Sequence, residues 1–179
     1  MRIVSGILRG RRFTPPDSFD ARPTTDFARE NLFNVICNFA DFEELKVLDL
    51  FGGTGAFSYE FVSRGCGDVT CVEKNPSHFR FIAKTVEQFG IADRVKLVRG
   101  DALRFLDTTR EHYDLVFADP PFAMAEVDEL PSRVMTSDLL RPGGIFILEH
   151  SGAGRFNGEA NFWQTRAYGK VNFTLFKHS

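Results

Sequence analysis

The sequence predicts an α/β fold built on a mostly parallel, seven-stranded β-sheet. From Lys46 onward, short strand-like runs alternate with helical segments. The strands are almost continuously apolar, which is typical of a sheet whose two faces are covered by helices. The last two strand-like runs, at about 161–168 and 171–177, are joined by a tight turn. They predict an antiparallel hairpin at the edge region of the sheet.

The predicted elements follow one another at short intervals. Strands are predicted at 46–50, 69–73, 94–99, 113–118 and 145–149, and helices near 55–64, 76–89 and 102–107. The helix at 76–89 has the clearest limits, because Asn75 is a good cap, Pro76 suits a first turn and Gly90 favours a helix end. Pro131 marks the start of a further helix before the last of these strands.

The N-terminal part of the chain precedes this alternation. Residues 1–16 predict an arginine-rich β-hairpin extension. Residues 22–39 predict a loop and a helix, capped by Thr25 or Asp26, that lead into the core. Because 179 residues with 43% hydrophobic side chains suit one core, we expect residues 1–179 to form a single domain.

Composition argues against a membrane protein and against a metal site. No apolar run approaches the ~20 residues that span a bilayer, and the N-terminus lacks the apolar core of a signal peptide. Cys37, Cys66 and Cys71 have no metal-ligand spacing, so we expect them to be reduced packing residues. These features predict a cytoplasmic protein that binds no metal.

Charge is distributed unevenly along the chain. The net charge is −2, yet residues 1–29 carry six arginines against three aspartates. A basic arm on an acidic body fits a protein that contacts phosphate at one end. A solvated arginine-rich surface explains the same pattern, so charge alone leaves both readings open.

Acidic residues occur at or just past the ends of four predicted strands. They are Asp49, Glu73, Asp101 and Asp119. Ligands bind at the carboxyl ends of the strands in open parallel sheets. We therefore expect these four carboxylates to share one edge of the sheet.

A glycine-rich turn follows the first of these carboxylates. It comprises Phe51, Gly52, Gly53 and Gly55 and leads into a helix. The glycines allow a sharp turn and a close approach of backbone to ligand. Asp49 would repel a pyrophosphate but suits a cationic amino group, such as that of S-adenosyl-L-methionine. A purely structural turn remains the alternative.

The next two carboxylates fit the rest of such a cofactor. Glu73 can accept both ribose hydroxyls, a feature that dinucleotide enzymes share. Asp101 can accept from an adenine amine while Ala102 offers its backbone N–H. Asp101 is equally well placed to cap the following helix.

Asp119, Pro120, Pro121 and Phe122 carry the predicted chemistry. The Asp119 carboxylate and the Pro120 carbonyl can accept the two N–H bonds of a nucleobase amine, and Phe122 can stack on its ring. Such an arrangement orients the nitrogen toward an activated methyl group. The alternative is an ordinary strand-ending turn.

Several longer stretches carry a family resemblance. The matching stretches are 1–6, 8–12, 22–26, 29–30, 32–34, 47–56, 63–65, 117–122 and 168–169. The most specific of them is Arg22-Pro23-Thr24-Thr25-Asp26 behind the arginine hairpin. On these residues the chain resembles the RsmD-type methyltransferases, which modify the N2 amine of guanine 966 in bacterial 16S rRNA.

The resemblance implies a class I methyltransferase fold, S-adenosyl-L-methionine as cofactor, and a substrate within the small ribosomal subunit or its assembly intermediate. It also implies that the 22–29 segment approaches the cofactor and the target base. The residues expected to contact RNA are Arg2, Arg9, Arg11, Arg12, Arg22, Thr24, Thr25 and Arg29.

Two other functions remain open at this point. One is an amino-methyltransferase for DNA adenine or another RNA base, since the Asp119 motif accepts several amines. The other is a non-catalytic nucleotide- or RNA-binding module on the same fold. Cofactor binding without turnover on any nucleic acid would identify the module.

Overall fold

The computed structural model describes residues 1–19 and 24–179. Within these residues the strands are β1 (Lys46–Asp49), β2 (Asp68–Glu73), β3 (Val95–Arg99), β4 (Tyr113–Ala118), β5 (Leu140–His150), β6 (Phe162–Tyr168) and β7 (Val171–Lys177). They form one sheet in the order β3-β2-β1-β4-β5-β7-β6. Strands β1 to β5 pair in parallel, whereas β7 is antiparallel to both β5 and β6. The predicted fold class is confirmed.

Helices cover both faces of this sheet. They are α1 (Asp26–Ile36), α2 (Ala56–Ser63), α3 (Pro76–Phe89), α4 (Ala102–Thr108) and α5 (Leu130–Thr136), with short 3-10 helices at Phe42–Glu44 and Ala125–Glu129. The first three pack into one apolar cluster and α4 and α5 into a second, on the opposite side of the strands. Thr25 caps α1 and accepts the Ala28 amide, and Asn75 and Gly90 bound α3 as predicted.

Strand β5 begins earlier than the sequence indicated. It starts at Leu140, which pairs with Tyr113, whereas Ile145 pairs with Leu115. The intervening residues bulge out of the ladder, and Gly143 adopts a φ of 76° there. The Pro-Gly-Gly signal therefore marks an irregularity within a strand instead of a turn before one.

The N-terminal loop, residues 1–13, folds back on itself but makes little sheet. A single antiparallel bridge joins Arg2 to Arg12. Backbone hydrogen bonds from Ile3 to Arg11 and from Phe13 to Met1 flank it, so the pairing of the two arms is confined to a few residues. The reason is that its amides have other partners: Val4 and Ser5 donate to the Glu60 carboxylate on α2 at 2.9 and 3.0 Å. The loop is anchored to the helix that follows the glycine turn.

The remaining expectations concern cysteines, metals and membranes. Cys66 and Cys71 are buried thiols, whereas Cys37 is exposed and is not a packing residue. Residues 1–19 and 24–179 contain no cluster of three or more His, Cys, Asp or Glu side chains suited to a metal ion. The same residues include no helix long and apolar enough to cross a bilayer.

Candidate active site

The carboxyl edge of the sheet brings together carboxylates from four strands. Asp49 ends β1, Glu73 ends β2, Asp119 follows β4, and Glu149 lies near the end of β5. Burial is the main cause that raises the pKa values of Asp49 and Asp119. Neighbouring charges add to it: Glu73 acts on Asp49, and Glu149 and Asp49 act on Asp119. The remaining predicted carboxylate, Asp101, follows β3. The predicted edge therefore exists, and Glu149 is one carboxylate more than expected.

The turn between β1 and α2 depends on its glycines. Gly53 and Gly55 have φ values of 56° and 81°, in the left-handed region that favours glycine. A Cβ on Gly55 would lie 2.2 Å from the Tyr59 hydroxyl, and one on Gly52 would lie 2.7 Å from the Cys71 sulfur. Side chains at these positions would collide with buried groups and push the turn away from the core.

Asp49 is buried with unused hydrogen-bonding capacity. Its Oδ2 accepts a 2.7 Å hydrogen bond from the Ser58 hydroxyl, while Oδ1 has no partner among the described residues. Burial raises the pKa of Asp49 to about 6, and the Ser58 bond opposes that rise in part. A buried acceptor without a partner is costly, so this oxygen suits a cationic ligand group next to the glycine turn.

Glu73 is held by backbone donors on both sides. Its Oε2 accepts from the Gly53 amide at 2.7 Å, and its Oε1 accepts from the Asn75 amide at 2.6 Å. Each carboxylate oxygen has a second lone pair, so the group is fixed in place and can still accept two hydroxyls. This geometry fits the predicted contact to a ribose.

Asp101 caps a helix in this structure. Its Oδ1 accepts from the Leu103 and Arg104 amides, and its Oδ2 accepts from Lys74 at 2.9 Å. The hydrogen bond from Lys74 lowers the pKa of Asp101. Ala102 opens the capped helix. The helix cap, one of the two roles that the sequence allowed for Asp101, is therefore present. The adenine contact stays a prediction.

The Asp119 motif combines a half-buried aspartate with an exposed ring. Burial raises the pKa of Asp119 well above its usual range, and the charge of Glu149 adds to the effect. Phe122 is 77% exposed, so its ring is free to stack on a planar ligand. A pocket runs between them and is lined by Asp119, Pro120, Pro121, Phe122, Val127, Glu149, His150, Ser151, Arg155, Lys170 and Val171.

Sequence reasoning missed Glu149, which lines this pocket. Its carboxylate is 9% exposed, and the Thr24 hydroxyl lies 2.8 Å from each of its oxygens. Burial raises the pKa of Glu149 to about 7, against the effect of the Thr24 bond. The rule that singled out the other strand-end acids applies equally to Glu149 and would have found it.

Residues 24–29 contact the site through Thr24 and the core through Arg29. Thr24 reaches the pocket through Glu149, while Thr25 caps α1. Arg29 is fully buried and donates to the Arg2 carbonyl at 2.6 Å and to Asp26 at 2.8 Å. The predicted contact of Arg29 with RNA is therefore wrong, because its guanidinium is inaccessible.

One predicted RNA contact of the 22–29 segment, Arg22, lies outside the described residues. The arginines of the N-terminal loop, by contrast, remain on the surface. Arg2, Arg9, Arg11 and Arg12 are all exposed. Arg2 pairs with Asp26 at 3.0 Å, and the Arg11 guanidinium lies 5.8 Å from the centre of the Phe89 ring. The structure therefore leaves this basic loop accessible to a polyanion.

Two solved structures are similar to this chain in fold. The fold matches a putative methyltransferase, yhhF, from Escherichia coli with a TM-score of 0.85 and 26% identity, covering 100% of this chain and 98% of that one. It also matches an RNA methyltransferase from Salinibacter ruber, solved with S-adenosyl-L-homocysteine, with a TM-score of 0.66 and 16% identity over 87% and 93% of the two chains.

Two proteins named ribosomal RNA small subunit methyltransferase D are similar in sequence. The one from Buchnera aphidicola subsp. Baizongia pistaciae is 30% identical over 83% of this chain and 75% of its own. The one from Escherichia coli K12 is 33% identical over 72% of this chain, and the match spans 64% of its length.

The fold and the site together define a class I methyltransferase, with S-adenosyl-L-methionine as its cofactor. A family model described as conserved hypothetical protein 95 matches residues 1–177. The chain therefore belongs to that family, the RsmD family.

Proposed function

We propose that this protein methylates the exocyclic N2 amine of a guanine in 16S rRNA of the small ribosomal subunit. The observation that carries the proposal is that the Asp119 carboxyl group and the exposed Phe122 ring line one pocket at the carboxyl edge of the sheet. The names of the similar proteins support ribosomal RNA as the substrate.

The residues at the edge fit the cofactor piece by piece. The free Oδ1 of Asp49 suits its ammonium group, and the fixed Glu73 carboxylate suits its ribose. Asp101 and Ala102 are the candidates for the adenine contact. When bound, the cofactor supplies a methyl group that its sulfonium already activates, so the protein needs no covalent nucleophile.

The task of the protein is then to orient a weak nucleophile. The lone pair of a nucleobase amine is delocalised into the ring. Hydrogen bonds from the amine to Asp119 and to the Pro120 carbonyl would draw the nitrogen toward a pyramidal shape, and stacking on Phe122 would hold the ring in line. As the N–C bond forms and the S–C bond breaks, the nitrogen loses a proton to Asp119 or to water.

The RNA itself would be held outside the pocket. Arg9, Arg11 and Arg12 are exposed on the N-terminal loop and can contact phosphates. The body of the protein is acidic, with a net charge of −2 for the whole chain. An assembled or assembling subunit would supply docking surface that naked RNA lacks, and such a substrate places the proposed reaction in the cytoplasm.

The test uses methyl-labelled S-adenosyl-L-methionine and small subunits that lack the methyl group on guanine 966. After incubation, the RNA is digested and the labelled nucleoside is identified. N2-methylguanosine is the expected product. Naked rRNA, DNA and Asp119→Ala protein are run in parallel. Label on DNA adenine or on another RNA base would replace the proposed substrate, and cofactor binding without any label would indicate a non-catalytic module.

A further inference from the structure

Glu149 and Asp119 line the same pocket at the carboxyl edge of the sheet. β4 and β5 run parallel, with Phe117 opposite Ile147 and Ala118 opposite Leu148. Asp119 directly follows β4, and Glu149 directly follows Leu148 in β5. The two carboxyl groups are close enough for the charge of Glu149 to add to the effect of burial on the pKa of Asp119.

The Glu149 carboxylate is oriented but not saturated. The Thr24 hydroxyl lies 2.8 Å from both of its oxygens. A hydroxyl has one proton, whereas an ionised carboxylate has about four lone-pair positions. Thr24 therefore holds the group in one orientation and leaves acceptor positions that a ligand in the pocket can reach.

Two adjacent carboxyl groups call for a ligand edge with adjacent donors. Burial raises the pKa of Asp119, and the charge of Glu149 adds to this effect and disfavours ionisation of Asp119 further. Guanine presents its N1–H next to its amine, so its edge carries donors side by side. Adenine and cytosine present a ring-nitrogen acceptor next to the amine. The lone pair of this nitrogen would face a lone pair of the carboxylate, and the two would repel each other.

We infer that Glu149 accepts the N1–H of the target guanine while Asp119 accepts its amine, so that Glu149 selects guanine over other bases with an exocyclic amine. The inference rests on the proposed function and adds the residue that reads the base. A site built to hydrogen-bond a donor rejects analogues that lack it, because its buried acceptor is then left unpaired.

The experiment varies the base and the residue together. Small subunits are reassembled with 16S rRNA that carries guanine, 2-aminopurine or 2,6-diaminopurine at the target position. Both analogues keep the amine at C2 and replace the N1–H by an acceptor, while they differ from each other at C6. Methyl transfer is measured at pH 8, above the pKa of about 7 for Glu149, for the unmodified protein and for Glu149→Gln.

The unmodified protein should use both analogues about 10- to 100-fold less efficiently than guanine, as kcat/KM. In Glu149→Gln, whose amide can also donate, guanine should be used less well and the three bases should differ by less than about threefold. Equal use of all bases by the unmodified protein overturns the inference. So does a common loss on all three bases in the variant, since that is the result of a structural role.

Further variants and outcomes distinguish a specific effect at Glu149 from a general effect of the substitution, from a loss of folding and from a failure of the proposed function. Glu111→Gln makes the same change at an exposed residue paired with Lys46, before β4, and should match the unmodified protein. If Glu149→Gln does not fold, Thr24→Val removes the anchor of Glu149 and should reduce the discrimination at least threefold; unchanged discrimination overturns the inference. Absence of N2-methylguanosine from the guanine substrate would instead refute the proposed function.

Discussion

The backbone amide of Gly53 donates a 2.7 Å hydrogen bond to Oε2 of Glu73. This bond joins the glycine turn after β1 to the acid at the end of β2. The glycine turn and Glu73 were predicted to bind different parts of one cofactor. This hydrogen bond fixes them in position relative to each other. A ligand bound to Glu73 would therefore lie next to the glycine turn.

Glu73→Gln should weaken the binding of S-adenosyl-L-methionine by roughly 10- to 100-fold, the range expected when hydrogen bonds to a charged group are lost. Glutamine also places an NH2 group against one of the backbone donors, from Gly53 or Asn75. Titration calorimetry measures the affinity. Glu87→Gln, on the exposed side of α3, is the matched control, and equal affinities for the two variants would remove Glu73 from the cofactor site.

Asp119→Ala should lower the rate of methyl transfer by about 10²- to 10⁴-fold while leaving cofactor affinity within a few-fold. The reason is that Asp119 lines the base pocket and not the glycine turn. Single-turnover kinetics and calorimetry separate the two effects. Asp138→Ala changes an exposed aspartate before β5 and should leave both unchanged. Loss of cofactor binding in Asp119→Ala would show that its role has been misassigned.

Asp49→Asn should flatten the dependence of stability on pH between about 4 and 6. Burial raises the pKa of Asp49 from 3.8 to about 6 in the folded protein. Between these values the folded state keeps a proton that the unfolded chain has lost, so the free energy of unfolding falls as the pH rises. The contribution of this group is on the order of 2 to 3 kcal/mol, present below pH 4 and lost above pH 6.

Urea unfolding at a series of pH values measures this slope. Some slope should persist in Asp49→Asn, because burial also raises the pKa values of Asp119 and Glu149. Asp93→Asn, at an exposed position, should keep the slope of the unmodified protein. If Asp49→Asn keeps it too, Asp49 does not titrate as its burial indicates.

Arg29→Met should destabilise the fold by roughly 3–5 kcal/mol without a specific effect on RNA. The buried guanidinium lies 3.7 Å from the buried carboxylate of Glu60 and bonds to the Arg2 carbonyl. Removing one charge leaves the other buried with less compensation. Thermal and urea unfolding give the change, with the exposed Arg80→Met as control. A variant of normal stability with weakened RNA binding would restore Arg29 as an RNA contact.

Reversing two charges on the N-terminal loop, Arg9→Glu with Arg11→Glu, should weaken substrate binding and reduce its dependence on salt. Each phosphate contact contributes about 0.7 to 0.9 to the slope of log K against log salt, so the slope should fall by roughly 1 to 2. Filter binding to small subunits at several salt concentrations measures it. The control is Lys96→Glu with Arg110→Glu, an equal charge change at exposed positions. An unchanged slope in the loop variant would exclude this loop from the RNA interface.

Much of the fold could be predicted because its signals are local. Asn75, Pro76 and Gly90 bound α3 as the capping rules require. The start of β5 could not be predicted, because its first residue, Leu140, is a strand residue only through its pairing with Tyr113. The local Pro-Gly-Gly signal favoured a turn, and pairing across the sheet prevailed over it.

The contacts of the N-terminal loop also could not be predicted from local sequence patterns. Alternation in residues 1–16 predicted a hairpin, yet Val4 and Ser5 bond to Glu60, a residue more than fifty positions away. Glu60 also lies 3.7 Å from the buried guanidinium of Arg29, another residue distant in the chain. No local pattern distinguishes an arginine that faces phosphate from one that pairs with a buried glutamate.

The sequence by itself determined the alternation of strands and helices, the glycine turn and the acids at the strand ends, since each of these follows from backbone conformation within a few residues. Only the tertiary structure decided which side chains meet. The ends of β4 and β5 bring Asp119 and Glu149 to one pocket. Arg29 is buried beneath the N-terminal loop, where it bonds to the Arg2 carbonyl. Both outcomes arise from contacts between residues distant in the chain, where burial and pairing outweigh local preference.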